Sequence, residues 1–103
     1  MITADEARLV LNKWRDDKTR LRVAAELVSL YLDCEAAIIG VTASRFGLRL
    51  GGANNFFEMD FGLCAFDFGH NADFPDQTVL VCFRSDGRII FYQLLEPKDT
   101  EAS

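Results

Sequence analysis

Apolar and polar residues recur along this chain with two different periods, and the change of period divides it. Ala7, Val10, Leu11 and Trp14 fall at helical spacing, while Arg8, Asn12, Arg15 and Asp16 take the opposite face. This predicts an amphipathic helix. Its start is marked by Thr3-Ala-Asp-Glu6, a capping box in which a hydroxyl and a carboxylate satisfy reciprocal backbone amides. Asp5 and Glu6 also suit the positive end of the helix dipole. The helix should end near residues 16–18, and Trp14 should dock it on a sheet.

From residue 36 onward the period is two. Residues 36–42 are apolar and β-branched, residues 44–50 run into Gly51-Gly52, and Ala53-Asn54-Asn55 supplies turn chemistry. Next comes a stretch, residues 55–70, that holds five of the nine phenylalanines. Phe57, Met59 and Phe61 point one way there, and Glu58 and Asp60 the other. Past Gly62 the phase slips by one residue, so that Cys64, Phe66 and Phe68 alternate with Asp67. A slip beside glycine predicts a bulge or sharp bend, as where a short sheet curls. Residues 69–77, with Asn71, Asp73, Pro75 and Asp76, form a loop. The segments 78–84 and 88–95 are strands joined by Ser85-Asp86-Gly87, in which Asp-Gly provides the positive φ of a tight hairpin. Both carry apolar residues on both faces, so two covers are needed: the helix for one side and a subunit interface for the other.

Residues 21–33 fit two patterns. As a helix, Arg22, Glu26, Ser29 and Asp33 make a narrow polar stripe. As a strand, Leu21, Val23, Ala25 and Leu27 face inward, with Arg22 and Glu26 outward. Periodicity alone slightly favours the helix, whereas the β-like remainder of the chain favours the strand. The fold expected is α+β: one N-terminal helix packed on a small, strongly bent antiparallel sheet or barrel of five or six strands. Its core should include Val10, Trp14, Val23, Leu27, Ile38, Val41, Leu48, Phe57, Met59, Phe61, Phe66, Val81, Phe83, Ile89 and Phe91.

At 103 residues the chain suits one domain, residues 1–96, with a polar tail at 97–103. Half its residues are hydrophobic, which is high for so small an interior and points to apolar surface shared with a second chain. A net charge of −5 disfavours bulk nucleic-acid binding. Cys34, Cys64 and Cys82 form no Cys-x-x-Cys pair, the N-terminus lacks a signal-peptide pattern, and no apolar run is long enough to span a membrane. A cytoplasmic protein with reduced thiols, and without a membrane anchor, is expected.

Candidate chemistry is sparse. His70 is the sole histidine, and no tetrahedral metal spacing surrounds it. Glu58 and Asp60 share a strand face and would serve as acid and base only if burial separated their pKa values. Such alternation is far more often a solvated face, so an enzyme using Glu58, Asp60 or His70 is the least favoured reading. Gly51-Gly52 opens no helix and is read as a turn, not a phosphate loop. No cofactor is expected. Lys18, Arg20 and Arg22, near Arg15, form one basic cluster, and Arg45 and Arg49 a second. Guanidinium forks suit phosphates, which makes Arg20, Arg22, Ser44 and Arg45 candidate ligands for an anionic small molecule.

Two resemblances bear on this. Lys18-x-x-x-Arg22, followed by Thr42-Ala-Ser44-Arg-Phe-Gly47, resembles the paired motifs of PilZ domains, small β-barrels that bind cyclic di-GMP. On that likeness Arg22 matches the second arginine, Ser44 the serine and Gly47 the glycine. Lys18 stands where the family has arginine, and Thr42 where it has an acidic or amide residue. The order of a helix, curled strands and a closing hairpin is also similar to Sm-like proteins, which assemble edge to edge into rings. Their Asp and Asn RNA-pocket residues are absent here. The leading expectation is a non-enzymatic, self-associating interaction module; the alternative is a regulatory domain for an anionic ligand such as a cyclic dinucleotide.

Overall fold

The computed structural model describes residues 1–28, 30–51 and 55–94. The chain runs α1 (Ala4–Asp16), β1 (Leu21–Leu27), β2 (Leu30–Val41), β3 (Arg45–Leu50), β4 (Asn55–Asp60), a 3₁₀ turn (Phe61–Leu63), β5 (Ala65–Phe68), β6 (Val79–Arg84) and β7 (Gly87–Gln93). One antiparallel sheet contains all the strands in the order β4-β3-β2-β1-β7-β6-β5. The connectivity itself enforces curvature. The two edge strands, β4 and β5, are consecutive in sequence. Laid flat, seven strands would hold those edges about 29 Å apart. The link from Asp60 to Ala65 reaches at most about 18 Å even when fully extended. The sheet therefore rolls into a half-barrel. The 3₁₀ turn where the alternation slipped carries the chain from one edge to the other. Asp60 caps that turn, its Oδ1 accepting from Gly62 N at 2.8 Å.

The α+β class and the bent sheet agree with the sequence, and residues 21–27 form a strand with the expected faces. The strand number does not agree: among the described residues there are seven, not five or six. The chain reverses between Leu27 and Leu30, which pair with each other, so the segment read as one unit contains parts of two strands. Val28-Ser29 lacks the glycine, asparagine or proline by which such reversals are recognised.

Helix α1 begins at the capping box, with Thr3 N donating to Glu6 Oε1 at 2.9 Å and Glu6 N to Thr3 Oγ1 at 3.1 Å. Its buried residues Ala7, Leu11 and Trp14 lie along one face, and it packs on β2 and β5. Trp14, 2 % exposed, stands 6.5 Å from the Phe91 ring. Phe46, Phe61, Phe66 and Phe91 complete an aromatic cluster with centroids 5.1–6.3 Å apart. The Arg8 guanidinium covers it, 4.6 Å from the Phe61 centroid, while donating to Ala43 O at 2.7 Å.

On the concave face of β6 the buried side chains are Leu80 and Cys82, whereas Val81 and Phe83, expected in the core, are half-buried on the convex face. Both phases of this strand are apolar, so alternation carried no marker of which side turns inward. Part of that second face is covered by the chain itself, without a subunit. Gly69 N donates to Val79 O at 2.8 Å, and a Cβ on Gly69 would stand 2.8 Å from Val79 Cγ1. Val79 is accordingly buried. Gly87 has φ +142, and a Cβ there would fall 2.0 Å from Glu26 O, so only glycine fits this crossing of hairpins. The expected turn at 52–54 and the tail at 97–103 lie outside the described residues.

Candidate functional site

Strand alternation places charge on the convex face of the half-barrel. Arg22 and Glu26 of β1 project there beside Asp33 and Glu35 of β2. Arg20 forks onto Glu35 at 2.8 and 3.0 Å, and Arg22 Nε meets Asp33 at 2.8 Å. Arg88 reaches Glu26 at 3.0 Å, and Arg45 reaches Glu58 at 3.4 Å. The hydrogen bond from Arg22 holds the Asp33 carboxyl below its usual range and raises the guanidinium, and the bond from Arg20 does the same to Glu35. These groups are solvent-exposed, so the pairs define a surface pattern more than they add stability.

The four candidate ligand residues occupy two places. Arg22 lies level with Glu35 in the register, whereas Ser44 and Arg45 follow the far end of β2, about 20 Å along the strand. What the fold gathers instead is Arg15, Lys18 and Arg20 from the end of α1 and the entry to β1, with Arg49 of β3. They surround a recess of about 490 Å³ floored by Ala37 and Ile39, with Glu35 as its one acidic lining residue. Lys18 enters it from a left-handed backbone position, φ 54. Arg49 was recognised in the sequence only as a neighbour of Arg45. Its level with Arg20 comes from β2 lying between them, a long-range pairing that no local motif encodes.

A second feature lies on the concave side. Val23, Ala25, Leu27, Leu30, Leu32, Leu48, Leu50, Phe57 and Ile89 enclose a hollow of about 80 Å³ that no residue of α1 lines. Every lining side chain is apolar. At its rim Leu30 is 51 % exposed and the adjoining Val28 88 %. The hollow meets β4 at Phe57, and among the described residues β4 pairs only with β3. Apolar surface and unpaired strand edge thus adjoin at one side of the molecule.

The remaining candidates are dispersed. Glu58 and Asp60 sit on the convex side of β4, one facing Arg45 and the other capping the 3₁₀ turn. Asp67 faces the N-terminus at 3.7 Å. His70 is exposed in the loop that follows β5. Among the described residues no group of three or more His, Cys, Asp or Glu could hold a metal ion, and no helix is long and apolar enough to cross a membrane. In comparisons with known proteins, the chain matches no family model, no curated protein and no solved structure, so the likeness to PilZ and Sm-like domains remains one of short motifs and layout.

Proposed function

We propose that this chain is a non-enzymatic interaction module that pairs with a second copy of itself through the open end of its half-barrel and the edge of β4. The observation that carries this reading is the aliphatic hollow with exposed Val28 and Leu30 beside it, continuous with an unpaired strand edge. A projection and a cavity of the same chemistry, side by side on one surface, are what a two-fold contact needs: each copy inserts its projection into the other's cavity. The hollow has room for about one branched aliphatic side chain, roughly half the volume of a cavity that accepts benzene. The strand edge adds backbone hydrogen bonds. Antiparallel pairing of β4 with its mate, centred on Phe57, sets Phe57 against Phe57 and Glu58 against Phe56. That register keeps the carboxylates from facing one another.

The expected outcome is a dimer by light scattering at micromolar concentration. A Phe57→Cys variant in a Cys34→Ser, Cys64→Ser background should cross-link to itself on mild oxidation, and Glu58→Cys in the same background should not. Monomer at all accessible concentrations would overturn the reading.

A second reading has its own observation, the four cations around the recess. Because these neighbours belong to a chain of net charge −5, they are a local exception to its field. A phosphate-bearing ligand such as a cyclic dinucleotide would lie over Ala37 between Arg49 and Lys18, competing with Glu35 for the Arg20 fork. Calorimetry with cyclic di-GMP tests it: binding weakened by Arg49→Ala supports the recess, and absence of heat rejects it.

A further inference from the structure

We propose that Cys64 and Cys82 form a peroxide-reactive dithiol, a modification site in which Cys64 takes the oxidant and Cys82 closes a disulfide. The register gives the geometry. Phe66 of β5 pairs with Cys82 of β6, and Cys64 precedes Phe66 by two residues, so both sulfurs fall on the concave side. The two cysteines are thus diagonal neighbours across the β5–β6 pairing. Cys82 is fully buried, while Cys64 is half-buried and lines a separate recess of about 240 Å³ with Arg84, Arg45 and Asp60. A small oxidant entering from solvent reaches Cys64 first.

The electrostatics assign the same roles. The Cys82 thiol donates to Cys64 and favours the Cys64 thiolate; Arg84 adds to this, against burial and the charges of Asp60 and Asp86. Cys82 is held protonated by the same bond and by burial. Cys34 lies apart on β2, its thiol pushed up by burial and by Asp33. Since the thiolate is the nucleophile, Cys64 should outrun Cys34.

The reaction balances with a hydroperoxide as oxidant. The Cys64 thiolate attacks the terminal oxygen, an S–O bond forms, the O–O bond breaks and hydroxide or alkoxide leaves. The resulting sulfenic acid is attacked by Cys82 sulfur. The S–S bond forms, the S–O bond breaks, and water departs with the Cys82 proton. Two thiols lose two electrons and the peroxide gains them. Diagonal neighbours on a ladder stand farther apart than an unstrained disulfide prefers, so closing the bond must draw in the start of β5. A strained bond of this kind is readily reduced by glutathione-type thiols, which makes the oxidation reversible.

The test uses the intact protein and hydrogen peroxide in slight excess. Non-reducing mass spectrometry should show loss of two hydrogens, with a Cys64–Cys82 cross-linked peptide, a free Cys34, and full reversal by dithiothreitol. Cys82→Ser should leave a sulfenic acid at Cys64 that dimedone traps. Alkylation at neutral pH should modify Cys64 about tenfold faster than Cys34. Accumulation of sulfinic acid at Cys64 with Cys82 still a thiol would overturn the proposal, as would equal reactivity of Cys34.

Discussion

The concave face of this half-barrel is built in two ways. Under α1 it is aromatic and closed: Trp14, Phe46, Phe61, Phe66 and Phe91 touch one another, and Arg8 caps the stack. Toward the β1–β2 reversal it is aliphatic and open, with Leu27, Leu30, Leu50 and Phe57 around a hollow. Both regions obey the same alternation, and they differ in what the chain has left to cover them. One helix, thirteen residues long, covers part of a rolled sheet of seven strands. The closed end holds the monomer together, and the open end is the surface that the proposed dimer would use. The largest expected effect is therefore at the closed end. Trp14→Ala should cost about 3–5 kcal/mol, from lost transfer energy plus a cavity that rigid neighbours cannot fill. Urea titration measures it, and the wild-type emission maximum should be that of a buried indole.

Gly87 sits where the two hairpins cross, next to the open end. Gly87→Val introduces a Cβ that would lie 2.0 Å from Glu26 O on a backbone at φ +142. Backbone strain alone costs about 1–3 kcal/mol, and the clash adds to it. A wild-type melting temperature would mean the crossing is not as described. If the comparison holds, this variant should also weaken dimerisation, because Val28 N, at the rim of the hollow, is held by Asp86 O at 2.7 Å.

How much of this could be read from the sequence depends on whether a polar residue marked the phase. Where one did, the faces were legible: Arg22 and Glu26 oriented β1, Glu58 and Asp60 oriented β4, and Thr3 with Glu6 fixed the start of α1. On β6 both phases are apolar, and the inward placement of Leu80 and Cys82, in preference to Val81 and Phe83, is decided by their pairing with Phe91 and Ile89. The reversal between Leu27 and Leu30 had no glycine, asparagine or proline to announce it. The candidate site shows the same limit. Charged residues were visible in clusters, but Arg49 reaches the level of Arg20 only across β2, and Cys64 meets Cys82 only through β5–β6 pairing. Sequence spacing holds no trace of either.

At the open end, Val28→Asp should change monomer stability by only about 0.5 kcal/mol, since the side chain is 88 % exposed. The same substitution should shift the dimer to monomer at micromolar concentration, because it would bury an unpaired carboxylate. Loss of folding on this change would mean that Val28 is part of the core and that the two ends are alike. Sedimentation at several concentrations, beside a urea curve, separates the outcomes.

The smallest effect concerns the convex face, which serves neither end. Asp33 and Glu35 are held below their ordinary values of 3.8 and 4.5 by Arg22 and Arg20. A depressed folded-state pKa means that the unfolded chain takes up protons first as the solution is acidified. The stabilisation is thus complete above about pH 4.5 and falls away as pH drops through the folded-state values. Both carboxylates are exposed, so solvent and salt screen the pairs and the loss should be slight. Asp33→Asn should flatten the acid limb of a stability–pH curve and leave neutral stability nearly unchanged. Dimerisation should be equally indifferent to it, because Arg22 and Asp33 lie on the side of the sheet away from the hollow. A dimer that dissociated on this substitution would move the contact to the convex face and reverse the contrast between the two ends of the concave one.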